Sequence, residues 1–239
     1  MWKNLYQKTM YEAYKSKQHL GYKVIDFDNM FAVLWNNQNI PYYNIVHCNK
    51  LGKKELDLLK KEIPNTFLCI ASNTPVNEDL GIKIGNRSYP MVLKADGKLS
   101  FDTKFDVKKV SNHEMLVQFC EVVSEVFDLT KDIDELVKSF ANETNLDNCF
   151  KYIGYIDNEP VGTLEVSEGI DGAYISWGSV KKEYRRRGMY KAMLTHAINH
   201  EIERGFKTIT LCSSKMAIEV YAKMGFKTLA ERNNYVLEN

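Results

Sequence analysis

The sequence lacks the features that mark a disulfide-stapled, secreted or membrane-spanning protein. Its five cysteines form no C-x-x-C pair and no ordered spacing, so they predict reduced thiols in a core rather than a disulfide framework. No apolar run approaches the roughly 20 residues that a membrane span needs. Residues 1–18 are polar and rich in lysine, unlike the apolar centre of a signal peptide. We therefore expect a cytoplasmic protein that has no membrane partner.

Net charge is also nearly absent. The chain carries 32 basic and 31 acidic residues in 239, for a formal charge of +1, which argues against non-specific coating of nucleic acid. The charges are unevenly spread, with a net of +5 over residues 1–100 and −4 over the remainder. A length of 239 residues, 44% of them hydrophobic, predicts one or two domains with a substantial core. We expect a monomer or homodimer with no nucleic-acid partner.

The first hundred residues predict short, irregularly spaced elements. Helical spacing predicts helices over 2–18 and 52–63, and Pro64 ends the second. An apolar segment at 28–35 is followed by a turn at 36–39 that precedes residues 41–46, and strands are predicted over 67–71 and 89–93. A polar stretch that ends near Thr103 marks the expected domain boundary.

The pattern becomes regular after residue 104. Ser111, with Glu114 three residues later, predicts a capping box at the start of a helix. An antiparallel meander is expected from the turn signals between three strands, and a crossover helix predicts a parallel pair after it, so the sheet is mixed. The predicted elements are a strand at 105–110, helices from 111 and over 132–142, strands at 150–156, 161–166 and 173–180, a helix at 188–204, a strand at 208–211, a helix at 216–224 and final strands from 226.

The most informative stretch runs from Val180 to Lys191, between a predicted strand and a long helix. Six of its twelve residues are Lys or Arg. The unpaired backbone N–H groups of a helix start bind phosphate oxygens, and Gly188 allows a ligand to approach the backbone closely. Charge alone favours the simpler interpretation, a solvated charge run that begins a helix.

The order of residues in this stretch resembles the GNAT acetyltransferases, whose signature is [Q/R]-x-x-G-x-[G/A]. Arg185 and Gly188 match the signature, whereas Tyr190 stands where the family usually has Gly or Ala. A second segment, 217–226, is similar to the family's A-x-x-[L/V]-Y-x-K-x-G-F pattern and contributes Tyr221. The resemblance covers roughly residues 105–239.

This resemblance implies an α+β chain whose catalytic part has a three-layer α/β/α fold around a central mixed sheet. It implies acetyl-CoA as co-substrate and no metal. Tyr221 matches the tyrosine that serves as general acid toward the departing thiolate, and Ser214 stands where many relatives have an Asn that contacts the cofactor. The implied cofactor-binding residues are Gly178, Ser179, Val180, Arg185, Arg186, Arg187, Gly188, Met189, Tyr190, Lys191 and Ser214.

The base that would take a proton from the acceptor amine is the weakest part of the pattern. No carboxylate stands clearly on the 173–180 strand, and Glu165 and Glu168 are the nearest candidates. The pattern favours a surface position for each over a role as base, and a water relay is the alternative. His196 and His200 share a helix face, but no third ligand is evident, so no zinc site is expected.

Residues 1–100 resemble the degenerate N-terminal halves of two-part GNAT proteins. They contain no R-x-x-G-x-G, so we expect an accessory or degenerate GNAT-like domain at 1–100 that does not bind CoA, followed by the acetyltransferase domain at 101–239. Two functions remain open. One is transfer of acetyl to a primary amine of a small molecule or peptide, and the other is a non-catalytic acyl-CoA-binding sensor or scaffold module.

Overall fold

The computed structural model describes residues 5–18, 21–35, 44–76, 80–100, 105–129, 132–141 and 147–238. The turn predicted at 36–39 and the boundary predicted near Thr103 lie outside the described residues.

The described residues form six α-helices and twelve β-strands. The α-helices are α1 Leu5–Lys15, α2 Lys53–Glu62, α3 His113–Phe127, α4 Ile133–Ala141, α5 Met189–Glu203 and α6 Ile218–Lys223. The strands are β1 Tyr22–Asp26, β2 Met30–Trp35, β3 Ile45–Cys48, β4 Phe67–Ser72, β5 Lys83–Lys94, β6 Asp106–Lys109, β7 Cys149–Ile156, β8 Glu159–Glu168, β9 Ala173–Val180, β10 Thr208–Ser213, β11 Lys227–Thr228 and β12 Arg232–Glu238.

The first of two compact units comprises Met1–Val92 and Cys212–Asn239. Its sheet has the order β1-β2-β3-β4-β12-β5, in which β3 and β4 are parallel and the other neighbours are antiparallel. Leu56 and Leu59 of α2 pack into a core against β3, β4 and β12. The helical spacing of these leucines is what orients α2 toward the sheet.

The last strand, β12, is held in this unit by a buried arginine. Arg232 is fully buried; its Nη1 lies 2.6 Å from His47 Nδ1, and its Nη2 donates to the carbonyl of Ala71. Because a guanidinium has only donors, Nδ1 of His47 must be the acceptor. Burial, together with the charge of Arg232, holds the pKa of His47 well below its usual value, so the ring is neutral.

The second unit, Leu93–Leu211, has a sheet in the order β10-β9-β8-β7-β6. Strands β6 to β9 pair antiparallel, and β10 pairs with β9 in parallel. The predicted meander and parallel pair are thereby confirmed. Connection of β9 to a parallel neighbour requires a crossover, which α5 provides.

Helices cover the two faces of this second sheet. Gly154 and Gly162 face α5, where a Cβ at Gly154 would overlap Met189 Sδ and one at Gly162 would lie 2.6 Å from Met193 Cε. Lys151, three residues before Gly154, faces the other way and lies under the ring of Phe140 on α4. The predicted α+β class, with a mixed sheet between helical layers, is confirmed.

Two predictions need separate comment. The cap of α3 is Asn112, whose side chain accepts a hydrogen bond from Met115 N at 2.9 Å, so the cap predicted at Ser111 is wrong by one residue. An Asn caps a helix as well as a Ser, and the helix begins after it. Residues 212–239 pack with the N-terminal unit, and the predicted functional domains 1–100 and 101–239 stay a prediction.

Candidate functional site

The loop between β9 and α5 is shaped by its own arginines. Arg185 Nε donates to the carbonyl of Val180 at 2.9 Å, which ties the loop back to the end of β9. Arg187 Nη2 donates to the carbonyl of Glu183 at 3.1 Å, and its guanidinium lies over the ring of Tyr184. The backbone is therefore held in a compact turn before the helix begins.

The start of α5 has the conformation that an anion site needs. Gly188 precedes the helix with φ 97° and ψ −8°, in the left-handed region that favours glycine, and Arg186 also has a positive φ of 63°. The first carbonyl of the helix ladder is that of Gly188, which accepts from Ala192 N at 3.0 Å. The N–H groups of Met189, Tyr190 and Lys191 precede that bond and point out of the helix end. Phosphate oxygens bind N–H groups at helix starts of this kind, and the helix dipole favours the same charge.

Strand β9 is irregular in its second half. Thr163 of β8 pairs with Ser179, but Glu165 pairs with Ser176, so two residues of β9 lie opposite one of β8. This is a β-bulge, and Trp177 within it has φ 50°, an uncommon conformation for a bulky residue. The pairing with β10 described for β9 ends at Ile175. The bulge lies within the stretch of β9 beyond that pairing.

The predicted cofactor strand residues occupy this irregular half of β9. Ser179 is fixed by a 2.7 Å hydrogen bond between its Oγ and Thr163 Oγ1. Gly178 lies directly beside Tyr190: a Cβ added to Gly178 would overlap the Tyr190 hydroxyl and lie 3.0 Å from two ring carbons. The structure therefore brings Gly178, Ser179 and Val180 together with the loop residues predicted from the motif.

Glu165, the predicted base, is buried in an ion pair. Its Oε2 lies 3.1 Å from Lys151 Nζ, and both side chains are 2% exposed or less. Its Oε1 accepts hydrogen bonds from Ser167 and Ser176, each at 3.2 Å. Ser176 is the β9 residue that precedes the bulge, so Glu165 and the bulge are linked by one hydrogen bond.

Aromatic rings surround the same face of the sheet. Trp177 meets Phe127 of α3 and Phe140 of α4 edge to face, with ring centroids 5.5 and 5.6 Å apart. Phe127 is exposed, and Lys151 Nζ lies 5.1 Å from the centre of the Phe140 ring. The sequence analysis did not identify Lys151, Trp177 or this aromatic corner, and nothing in the local pattern signals the positive φ of Trp177.

Glu168, the second candidate base, serves a different cluster. It accepts from Arg204 at the end of α5, at 2.5 Å from Nε and 3.0 Å from Nη2. The carboxyl of Glu201, fully buried on the same helix, is next to it. This bidentate pair fixes Glu168 against α5, away from the Glu165 face of β8.

Ser214 and Tyr221 belong to the first unit, whereas the other predicted site residues belong to the second. Ser214 is exposed and precedes the short 3-10 turn Lys215–Ala217. Tyr221 is buried in α6 and packs edge to face on Phe226 at 5.6 Å. Its carbonyl accepts from Phe226 N at 3.1 Å, so backbone and ring together hold the 221–226 segment.

The described residues contain neither the side-chain cluster of a metal site nor a helix suited to cross a membrane. No three His, Cys, Asp or Glu side chains among those residues cluster as a metal site would. Within the same residues, no helix combines the length and apolar character that crossing a membrane takes.

Comparison with known proteins gives a family match for part of the chain. The Acetyltransferase (GNAT) family matches residues 116–226. None of the curated proteins matches the chain.

Three solved structures have a similar fold over most of the chain. A GCN5-related N-acetyltransferase from Kribbella flavida is 11% identical, with 96% of this chain and 95% of that one covered and a TM-score of 0.69. A functionally unknown conserved protein from Staphylococcus epidermidis ATCC 12228 is 17% identical, with 92% and 94% covered and a TM-score of 0.68. A tandem GNAT protein from the clavulanic acid biosynthesis pathway is 13% identical, with 87% and 78% covered and a TM-score of 0.55.

At such low identities the solved structures support the fold, while the family match identifies the segment that carries the loop and the bulge. The N-terminal half resembles a second GNAT domain, as the sequence predicted. Residues 116–226 match the GNAT acetyltransferase family, whose general chemistry is acyl transfer, and the chain has a fold similar to that of a tandem GNAT protein.

Proposed function

We propose that the protein is a cytoplasmic N-acetyltransferase that moves the acetyl group of acetyl-CoA to a primary amine of a small molecule or peptide. The observation that carries the proposal is the start of α5, where Gly188 at φ 97° and the hydrogen bond from Arg185 to the Val180 carbonyl shape the turn before the helix. In this proposal the amides from Arg186 to Lys191 hold the pyrophosphate.

The rest of the cofactor contacts follow from the irregular half of β9. The backbone of Gly178, Ser179 and Val180 pairs with the pantetheine amides, beyond the point where the β10 pairing ends. Ser214 contributes a hydroxyl in place of the longer Asn side chain that the resemblance implies. No metal takes part in the proposed reaction.

The proposed chemistry needs no covalent enzyme intermediate. The neutral amine attacks the thioester carbon, a C–N bond forms, and the carbonyl electrons move to oxygen. The backbone N–H of Gly178, in the bulge, stabilises that oxyanion. Collapse breaks the C–S bond, and Tyr221 gives its proton to the departing thiolate.

The proton of the amine goes to Glu165, directly or through water. In the structure Glu165 is already ion-paired with Lys151 and accepts hydrogen bonds from Ser167 and Ser176. A role as base therefore requires one of these donors to yield its place to the amine or to a water. This engagement of Glu165 is the observation that favours the second candidate function, a non-catalytic acyl-CoA sensor.

The two glycines that flank α5 provide a matched test of the cofactor site. Gly188 and Gly205 flank the helix with nearly equal φ, 97° and 96°, so a side chain is similarly strained at either. Gly205 has open space where a Cβ would lie. Gly188→Glu places a carboxylate against the expected pyrophosphate. Gly205→Glu places the same carboxylate at the opposite end of α5.

Calorimetry with CoA reads out the difference. We expect Gly188→Glu to weaken CoA binding by at least about 100-fold, or about 2.7 kcal/mol. Gly205→Glu should bind within about threefold of the unsubstituted protein, which is under 1 kcal/mol. Unchanged affinity in Gly188→Glu would show that CoA does not bind at this loop.

A further inference from the structure

The side chain of Tyr190 turns back from α5 and contacts strand β9. A Cβ placed on Gly178 would overlap the Tyr190 hydroxyl oxygen and lie 3.0 Å from Cε2 and Cζ. The hydroxyl end of the ring therefore touches the backbone of Gly178. Side chains in the first turn of a helix tilt toward its N-terminus, which accounts for the direction of the ring.

Tyr190 and Gly178 are complementary in size. The GNAT pattern has a small residue at the position of Tyr190, whereas this chain has a large residue there and the small one on the facing strand. Any side chain at 178 would displace the phenol. The exchange keeps the volume between α5 and β9 while it adds a hydroxyl to that space.

The hydroxyl lies at the bulge of β9. Gly178 follows Trp177, whose φ of 50° marks the irregular point, and among the described residues neither β8 nor β10 gives Gly178 a one-to-one partner in the ladder. Ser179, the next residue, returns to the regular pairing with Thr163. The ladder hydrogen bonds are locally disrupted at a bulge.

We infer that the Tyr190 hydroxyl is a second hydrogen-bond donor to the thioester carbonyl of acetyl-CoA, beside the N–H of Gly178. The inference rests on the proposed function, because it requires acetyl-CoA to lie along β9. Two donors aimed at one oxygen stabilise the negative charge that develops there when the amine attacks. No covalent bond to Tyr190 forms, and its proton stays on the phenol.

Tyr190→Phe removes only the hydroxyl and keeps the ring against Gly178. Removal of one oxyanion donor costs about 10²–10³-fold in kcat, and we expect a loss in this range with CoA affinity within about threefold. Tyr184→Phe is the matched control. Tyr184 lies in the same loop, and its hydroxyl donates to Glu159 at 2.6 Å, so its loss should leave kcat within about threefold.

The vibration of the bound thioester gives a readout that does not depend on turnover. Acetyl-CoA with a ¹³C carbonyl should show a lowered C=O stretching frequency when bound, and the lowering should be smaller in Tyr190→Phe. A hydrogen bond to the carbonyl weakens the C=O bond, whereas a packing role for the ring would not change the frequency.

Gly178→Ala tests the geometry from the strand side. Its methyl group displaces the phenol, so we expect a similar loss of kcat and little further loss when Tyr190→Phe is added. Additive losses, measured in variants with unchanged melting temperature, would overturn the inference.

The outcomes separate this inference from the proposed function. If the protein binds acetyl-CoA and turns over, but Tyr190→Phe leaves both kcat and the carbonyl frequency unchanged, only the role of Tyr190 is overturned. If the unsubstituted protein does not bind CoA, the proposed function fails and the role of Tyr190 fails with it.

Discussion

At the scale of single residues, the ion pair between Lys151 and Glu165 dominates the face of β8 that adjoins the bulge. Burial of two charges costs several kcal/mol, and their attraction together with the serine hydrogen bonds offsets that cost. The pair is also an example of what the sequence does not reveal. A two-residue turn at Asp157–Asn158 with an unbroken ladder would set Lys151 opposite Leu164, and the bulge after Gly154 shifts the partner to Glu165.

The pair predicts a strongly non-additive effect on stability. Lys151→Met or Glu165→Leu alone leaves a buried charge without its partner and should lower the free energy of unfolding by about 3–5 kcal/mol. The double variant should recover most of that loss, because neither charge remains. Urea denaturation measures all three, and additive losses would show that the two side chains do not depend on each other.

A second buried group, Glu201, should give the protein a pH-dependent stability. Burial, followed by the neighbouring Glu168 carboxyl, raises the pKa of Glu201 from 4.5 to about 9. The raised pKa favours the folded state fully below pH 4.5, and this stabilisation is lost as the pH rises toward 9. The charged or titratable groups that face it are Glu168, Arg204, Lys109, Tyr152 and His200.

Glu201→Gln should therefore flatten the decline in unfolding free energy between about pH 5.5 and about pH 8.5. Glu203→Gln is the control, because Glu203 is exposed and its hydrogen bond to Lys98 lowers its pKa, outside that window. Denaturation at several pH values measures the slope. An unchanged slope in Glu201→Gln would mean that Glu201 is ionised in the folded protein.

At the scale of elements, the start of α3 shows how closely a sequence can fix a helix end. Ser111 and Asn112 are both good caps, and the pattern that favoured Ser111 relied on Glu114. The side chain of Asn112 makes the bond to Met115 N, whereas Ser111 Oγ contacts Met115 Sδ at 3.6 Å. Adjacent capping residues compete, and the sequence alone does not decide between them.

The two positions provide a direct comparison. Asn112→Ala should lower the free energy of unfolding by about 1 kcal/mol, within a range of 0.5–2, because the helix loses a capped N–H. Ser111→Ala should change it by less than about 0.5 kcal/mol, as an exposed substitution does. Chemical denaturation distinguishes the two, and the reverse order of effects would restore Ser111 as the cap.

The helix and the strand that follow the charged loop could be predicted from the sequence for a different reason. Gly188 and Gly205 bracket α5, and each adopts the positive φ that glycine favours. The bulge in β9 left no such mark, because Trp177 takes a conformation that tryptophan rarely adopts. Regular elements follow from the periodicity of apolar residues and from the residues that end helices and strands. The irregular point at Trp177 depends instead on packing against Phe127 and Phe140.

At the scale of the whole molecule, the mixed sheet, the meander and the crossover could be predicted from the sequence. The strands between which the last strand, β12, pairs could not be predicted. The pattern after Phe226 predicted strands without their partners. In the structure β12 lies between β4 and β5, both of which precede residue 95. Long-range pairing of this kind leaves no local signal, since any strand edge of the right polarity could accept β12.

The position of β12 predicts the fate of a truncated chain. Expression of residues 101–239 removes β4 and β5, so both edges of β12 and the buried Arg232 lose their partners. We expect the truncated protein to be insoluble or to expose apolar surface that binds a hydrophobic dye. Circular dichroism and dye binding measure this. A soluble fragment with a cooperative melt and normal CoA affinity would show that residues 101–239 fold independently.

The central claim is transfer of an acetyl group to an amine, and simultaneous measurement of thiol release and acetylated amine tests it most directly. With acetyl-CoA and a panel of primary amines, we expect thiol and acetylated amine in equal amounts, and only in the presence of an accepted amine. Tyr221→Phe should bind CoA normally and lower kcat by about 10²–10⁴-fold, the contribution of a general acid. Binding of acetyl-CoA with no amine-dependent thiol release across the panel would contradict the account and identify the chain as a non-catalytic acyl-CoA-binding protein.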